Sequence, residues 1–140
     1  MKIILCIIFL VPLWSFAQVS TLSKAPMKQH LKGATIQTLV SKKVLGGEKA
    51  FVGYLTIPAK GKVPEHRDST EEYLFFIKGG GKIWINDVSY QVNPNDLVFT
   101  PAQAKVRFEN GDKTSEVLQI FASPGPEKKY MNPAWKPVKN

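Results

Sequence analysis

The sequence predicts an all-β domain, an antiparallel sandwich or barrel. Three observations carry that reading. Short runs rich in β-branched and aromatic residues recur at close, regular spacing from residue 34 onward. Turn-forming residues separate almost every pair of runs. Beyond the first eighteen residues, no stretch shows the 3.6-residue apolar period of a three-turn amphipathic helix. Short strands punctuated by turn chemistry mark all-β folds.

The elements follow in order. "ATIQTLV" (34–40) is β-rich and "AFVGYLTI" (50–57) alternates. "EEYLFFI" (71–77), "KIWI" (82–85), "VSYQV" (88–92), "DLVFT" (96–100), "AKVRFE" (104–109) and "EVLQIFA" (116–122) come after. Between them lie Gly46-Gly47, Pro58 and Gly61, Gly79-Gly80-Gly81, Asn86-Asp87, Asn93 to Asp96, and Asn110-Gly111-Asp112. Asn-Asp suits a two-residue hairpin, and glycine tolerates positive φ without a Cβ clash. The Gly79–Gly81 run therefore reads as a backbone requirement, not as chemistry.

The ends differ from the middle. "MKIILCIIFLVPLWSFAQ" has Lys2, an apolar run from Ile3 to Leu13, and Ser15-Phe16-Ala17 before Gln18. That is the pattern of a secretory signal peptide cleaved after Ala17, and the run is too short for a permanent bilayer span. The expected location is the periplasm or the extracellular space. The only cysteine, Cys6, lies in that segment, so the mature chain has no thiol chemistry. About 123 residues remain, enough for one modest core. Residues 18–33 read as an extended lead-in, 34–123 as the domain, and 124–140 as a basic, proline-rich tail over its outside. Tyr130, Met131 and Trp135 are the tail's candidate anchors.

The formal net charge is +8. The positives are scattered and not interleaved with exposed aromatics, which argues against nucleic acid as a partner. Solubility and adhesion to anionic surfaces account for most of this charge, and the sharper reading is an anionic small-molecule ligand such as an acidic sugar. Most aromatics stand at strand spacing and read as core: Phe75, Phe76, Trp84, Phe99, Phe108 and Phe121. Tyr54, Tyr73 and Tyr90 are candidates to line a pocket. A sheet face could also serve a homodimer.

The chemistry concentrates in "PEHRDSTEEYLFFIKGGG". Imidazole and carboxylates hold metals and move protons. On a strand, residues two apart share a face, so His66 and Asp68 point together while Arg67 points away. Glu72 shares a face with Leu74 and Phe76, and Glu71 points out. His66, Asp68 and Glu72 thus converge if that face is the interior. His30, in the lead-in, is a remote candidate for a further ligand.

These positions resemble the cupin family. Its first motif, G-x5-H-x-H-x3,4-E-x6-G, is similar to Gly61, His66, Asp68, Glu72 and Gly79, with four residues in the first gap instead of five. Its second, G-x5-P-x-G-x2-H-x3-N, is similar to Asn95, Pro101, Gln103, Val106 and Asn110. The resemblance implies a single cupin-type jelly-roll β-barrel (a double-stranded β-helix). It also implies metal ligands at His66, Asp68 and Glu72, with aspartate in place of the second histidine. Val106 replaces the remaining histidine and cannot ligate. One imidazole and two carboxylates suit Mn²⁺, Zn²⁺, Fe²⁺ or Ca²⁺. The expected function is an exported cupin-like protein that binds a small molecule, with a weak divalent-metal site. The alternative is a metal-dependent isomerase, lyase or oxygenase of small organic or sugar substrates, with Glu72 or Asp68 as base.

Overall fold

The structure, a computed structural model, describes residues 18–138. The signal-peptide reading falls on residues 1–17, outside the described residues. Eleven strands follow one another: β1 (Met27–His30), β2 (Thr35–Val40), β3 (Phe51–Ile57), β4 (Lys62–Arg67), β5 (Glu72–Lys78), β6 (Gly81–Ile85), β7 (Val88–Val92), β8 (Leu97–Thr100), β9 (Lys105–Asn110), β10 (Ser115–Phe121) and β11 (Trp135–Val138). Two short 3₁₀ helices, Leu22–Lys24 and Pro126–Met131, lie near the ends.

The strands form two antiparallel sheets. The larger has the order β11-β1-β2-β3-β10-β5-β8, and the smaller β4-β9-β6-β7. From β3 to β10 the chain changes sheet at every connection except the β6–β7 hairpin. That hairpin turns on Asn86 and Asp87, both at positive φ (48° and 69°), as a two-residue turn requires.

The expected closed barrel is corrected here. The two sheets face each other but stay open, and β11, β8, β4 and β7 each pair on one side only. Two of these edges contain proline, Pro64 in β4 and Pro137 in β11, which has no N–H to offer a further ladder. Pro64 also falls where the β4–β9 register shifts between Val63 and His66. A bulge of this kind bends the strand, and pairing resumes beyond it at His66.

Between the sheets lies the core. Burial alternates strictly along β3, β9 and β10, so every second side chain points inward. Phe76, Phe121, Ile36, Ile83 and Val117 are fully buried. The Phe76 and Phe108 rings, from facing sheets, lie 5.5 Å apart. Three aromatics expected inside lie elsewhere. Trp84 is on the outer face of the small sheet, 3.5 Å beneath the Arg107 guanidinium. Phe75 and Phe99 are exposed on the outer face of the large sheet.

A polar staple ties three turns together. Asn110 is buried, and its amide nitrogen donates toward the carbonyls of Ile57 (3.0 Å), Pro58 (2.8 Å) and Lys113 (3.0 Å). Its Oδ1 accepts from Ser115 Oγ at 2.6 Å. Ser115 Oγ in turn accepts from the Gly80 N–H at 2.7 Å. The β3–β4, β9–β10 and β5–β6 turns are thereby locked to one buried side chain.

Candidate functional site

Between the sheets opens a cavity of about 1060 Å³. Buried apolar side chains from both sheets wall it, among them Leu55, Leu74, Ile83, Val106, Phe108 and Val117. One end is polar, and it gathers all three sequence-predicted residues: His66, Asp68 and Glu72 line the same cavity.

Their placement follows from the strands. His66 lies near the end of β4 and pairs in register with Val106 of β9. Val106 is buried and lines the wall, so it stands beside the histidine as the motif resemblance implies. Asp68 sits just past β4, where its carbonyl accepts from the Gln103 N–H at 2.8 Å. Glu72 opens β5, between Thr100 of β8 and Phe121 of β10.

Each of the three is engaged. His66 Nδ1 is 2.9 Å from the Pro64 carbonyl, and Nε2 is 3.4 Å from Asp68 Oδ2. Lys129 Nζ contacts both Asp68 oxygens, at 2.9 and 3.2 Å. Glu72, 3% exposed, accepts at Oε1 from Gln119 Nε2 (2.6 Å), and Thr100 Oγ1 lies 3.2 Å from both its Oε2 and its backbone carbonyl. Gln119 accepts in turn from the Tyr130 hydroxyl. Among the described residues, no buried side-chain nitrogen or oxygen lacks a partner.

Charge states follow from these contacts. The Asp68 hydrogen bond raises His66 above the ordinary histidine range, outweighing burial and the Lys129 charge. Burial alone would push Asp68 up, but the His66 hydrogen bond and the Lys129 ammonium hold it below the ordinary range. Burial pushes Glu72 up, and the opposing Lys129 charge and Gln119 hydrogen bond do not offset it. Burial likewise raises the Tyr130 phenol.

A raised histidine pKa has a definite sign in stability. The contribution is full below about pH 6.5, the unfolded value, and is lost as pH rises through the higher folded value. The groups facing His66 are Asp68, Lys129 and the Pro64 carbonyl. His66→Gln should therefore lower the melting temperature at about pH 6 and lower it much less at about pH 9. Calorimetry at both pH values checks this. A pH-independent gap would mean that the His66–Asp68 contact carries no charge.

The fit to a divalent ion is poor on the contacts themselves. Both His66 ring nitrogens face oxygens that only accept, the Pro64 carbonyl and Asp68 Oδ2, an arrangement that favours N–H donors over free lone pairs. Asp68 is held by an ammonium, and Glu72 by two neutral donors. Among the described residues, no group of three or more His, Cys, Asp and Glu is arranged to hold a metal. His30 lines the cavity, but its ring packs edge-on against Trp135 at 5.0 Å and its Nδ1 accepts from the Lys32 N–H.

Sequence reasoning missed Lys129, Tyr130, Gln119 and Thr100. Gln119 had a signal: it takes an inward position in "EVLQIFA", between Val117 and Phe121, where an amide needs a buried partner. Lys129 had none, and Tyr130 was expected only as an anchor, because both reach the cavity from a tail read as outer cover. Of the tyrosines proposed for a pocket, Tyr54 bonds Glu116, Tyr73 bonds Glu71, and Tyr90 is exposed. None of the three lines the cavity.

The chain is similar to proteins of several kinds. An uncharacterized protein of Methanocaldococcus jannaschii is 23% identical over 104 residues, which cover 74% of this chain and 88% of that protein. The crystal structure of a predicted oxalate decarboxylase from Thermotoga maritima superposes with a TM-score of 0.66 at 20% identity, covering 76% of this chain and 99% of the other. The polyketide cyclase RemF from Streptomyces resistomycificus superposes at 0.65 with 15% identity, covering 85% and 96%. These likenesses establish the fold. Residues 53–121 match the cupin domain, a span that begins inside β3, ends with β10 and supplies most of the cavity wall, and on this the chain belongs to the cupin family.

Proposed function

We propose that this cupin binds a small amphipathic anion, a carboxylate with an apolar body, and that it does so after export with residues 1–17 removed. The observation that carries the reading is the cavity: a continuous apolar wall with a cluster of hydrogen-bonded polar groups around His66, Asp68 and Glu72. Such a cavity takes up apolar groups and fixes orientation through a few polar contacts. Lys32, Lys60, Lys62 and Arg67 also line it, and cations around a low-dielectric opening favour anions. The signal-peptide pattern of the first residues supports export. Two solved structures of similar fold whose names give an activity, a predicted oxalate decarboxylase and a polyketide cyclase, support a small molecule as the kind of ligand.

The metal-dependent enzyme has weaker support. Its best observation is Glu72, a buried carboxyl with a raised pKa lining a cavity, which suits an acid–base group. Its would-be metal donors, however, are occupied by protein partners.

Isothermal titration of octanoate into protein recovered after export tests the reading. Its intact mass should correspond to a chain starting at Gln18. We expect one saturable site, weakened about tenfold or more by Val106→Phe, which places a ring in the cavity (about 1.4 kcal/mol). Binding that ignores Val106→Phe would place the anion on the basic surface and refute the cavity reading. A mass starting at Met1 would refute export.

A further inference from the structure

We infer that Lys129 is the resident cation of this site: its ammonium stands in for the metal ion and keeps divalent metals out. The inference concerns the polar end of the same cavity and holds or fails whether or not a carboxylate binds there.

The contacts make the case. Lys129 comes from the 3₁₀ helix Pro126–Met131, far along the chain from the two cupin motifs. Its Nζ approaches both oxygens of Asp68, the side chain in the slot of a motif histidine. The ammonium also lies 4.7 Å from the centroid of the Phe121 ring, so an aromatic face supports it from a second side. The next residue, Tyr130, reaches the other carboxylate through Gln119, which donates to Glu72. Two adjacent tail residues thus serve the two acids that a metal would need.

The tail is fixed in that position, so this is not a chance surface contact. β11 pairs with β1 at the edge of the large sheet. Lys28 Nζ donates to the Tyr130 carbonyl at 2.8 Å. The Tyr130 and Trp135 rings meet edge-on at 4.9 Å. Tyr130 is itself part of the buried core. The chemistry of the donor set agrees. An ammonium needs acceptor oxygens, and Asp68 supplies two. Aspartate at 68 and valine at 106 leave out two imidazoles of the kind that suit Zn²⁺ or Fe²⁺, while keeping a carboxylate for lysine.

The test is a metal titration of the full mature chain with Zn²⁺ and Mn²⁺, at one fixed pH because imidazole binds metal only when deprotonated. Wild type should show no saturable site. Lys129→Met should gain one, with affinity raised at least about tenfold, and Lys129→Met combined with His66→Ala should lose it. Lys129→Arg, which keeps the positive charge, should stay silent. Wild type binding one equivalent of metal as tightly as Lys129→Met would overturn the inference. So would a folded Lys129→Met that binds nothing, since lysine would then not be what excludes the ion. If Lys129→Met does not fold, Lys129→Gln and the wild-type titration decide the matter in the same way.

Discussion

Asn110→Ala should cost about 3 kcal/mol of stability, among the larger effects expected of a single substitution. The amide serves the carbonyls of Ile57, Pro58 and Lys113, and its oxygen takes the Ser115 hydroxyl. Alanine removes all four contacts from a buried site and leaves polar groups behind without partners. Ser115, 0% exposed, then keeps only its contact from Gly80 N–H. For a domain of this size the loss corresponds to a fall in melting temperature of roughly 10 °C. In denaturant titrations the midpoint should fall with the slope unchanged, since the same surface is exposed on unfolding. A loss below about 1 kcal/mol would mean that water or rearranged turns replace the staple.

Gly80→Ala should be at least as damaging. A Cβ on Gly80 would clash with the Val92 carbonyl oxygen and lie 3.1 Å from the carbonyl carbon, both backbone atoms of β7. The backbone is also at φ +141°, which side chains rarely adopt. Strain and clash together should cost about 3 kcal/mol or more. Gly46 is the control. It has φ +65°, but nothing lies within 4 Å of where an alanine methyl would stand, so Gly46→Ala should cost only about 1 kcal/mol. Equal costs at the two positions, measured by chemical unfolding, would show that φ alone matters and that the close approach to β7 does not.

Much of the fold was legible because alternation reports which face is buried. Every strand-like run read from the sequence, from "ATIQTLV" to "EVLQIFA", lies within a residue of an observed strand at each end, and β7 matches at both. Three strands, β1, β4 and β11, were not among those runs. Their sequences "MKQH", "KVPEHR" and "WKPV" are polar or contain proline, and none shows full burial in any position. They are edge strands or lie next to the edge, where pairing is set by neighbours and not by their own apolar pattern. The same edges explain why a closed barrel was expected and open sheets found: a motif fixes inward residues but does not say whether the last ladders form.

The site was legible in its first half. The two-residue period placed His66 with Asp68, and Glu72 inward with Leu74 and Phe76, as found. The second half depends on contacts between residues about sixty apart, Lys129 to Asp68, for which local pattern carries no signal. The outward placement of Phe75 and Phe99 has a related cause. β5 buries Glu72, Leu74 and Phe76 on its other face, so Phe75 must point out whatever its hydrophobicity.

Binding in the cavity and binding on the basic surface predict different dependences on ligand length. The most direct measurement is the affinity of the mature protein for a series of straight-chain monocarboxylates of increasing length, by titration calorimetry at one salt concentration. Each methylene buried in an apolar cavity should contribute about 0.8 kcal/mol, roughly fourfold in affinity, until the cavity is full. Cavity binding should give that steady rise followed by a plateau. An affinity that does not change with chain length, or no saturable binding by any member, would contradict it.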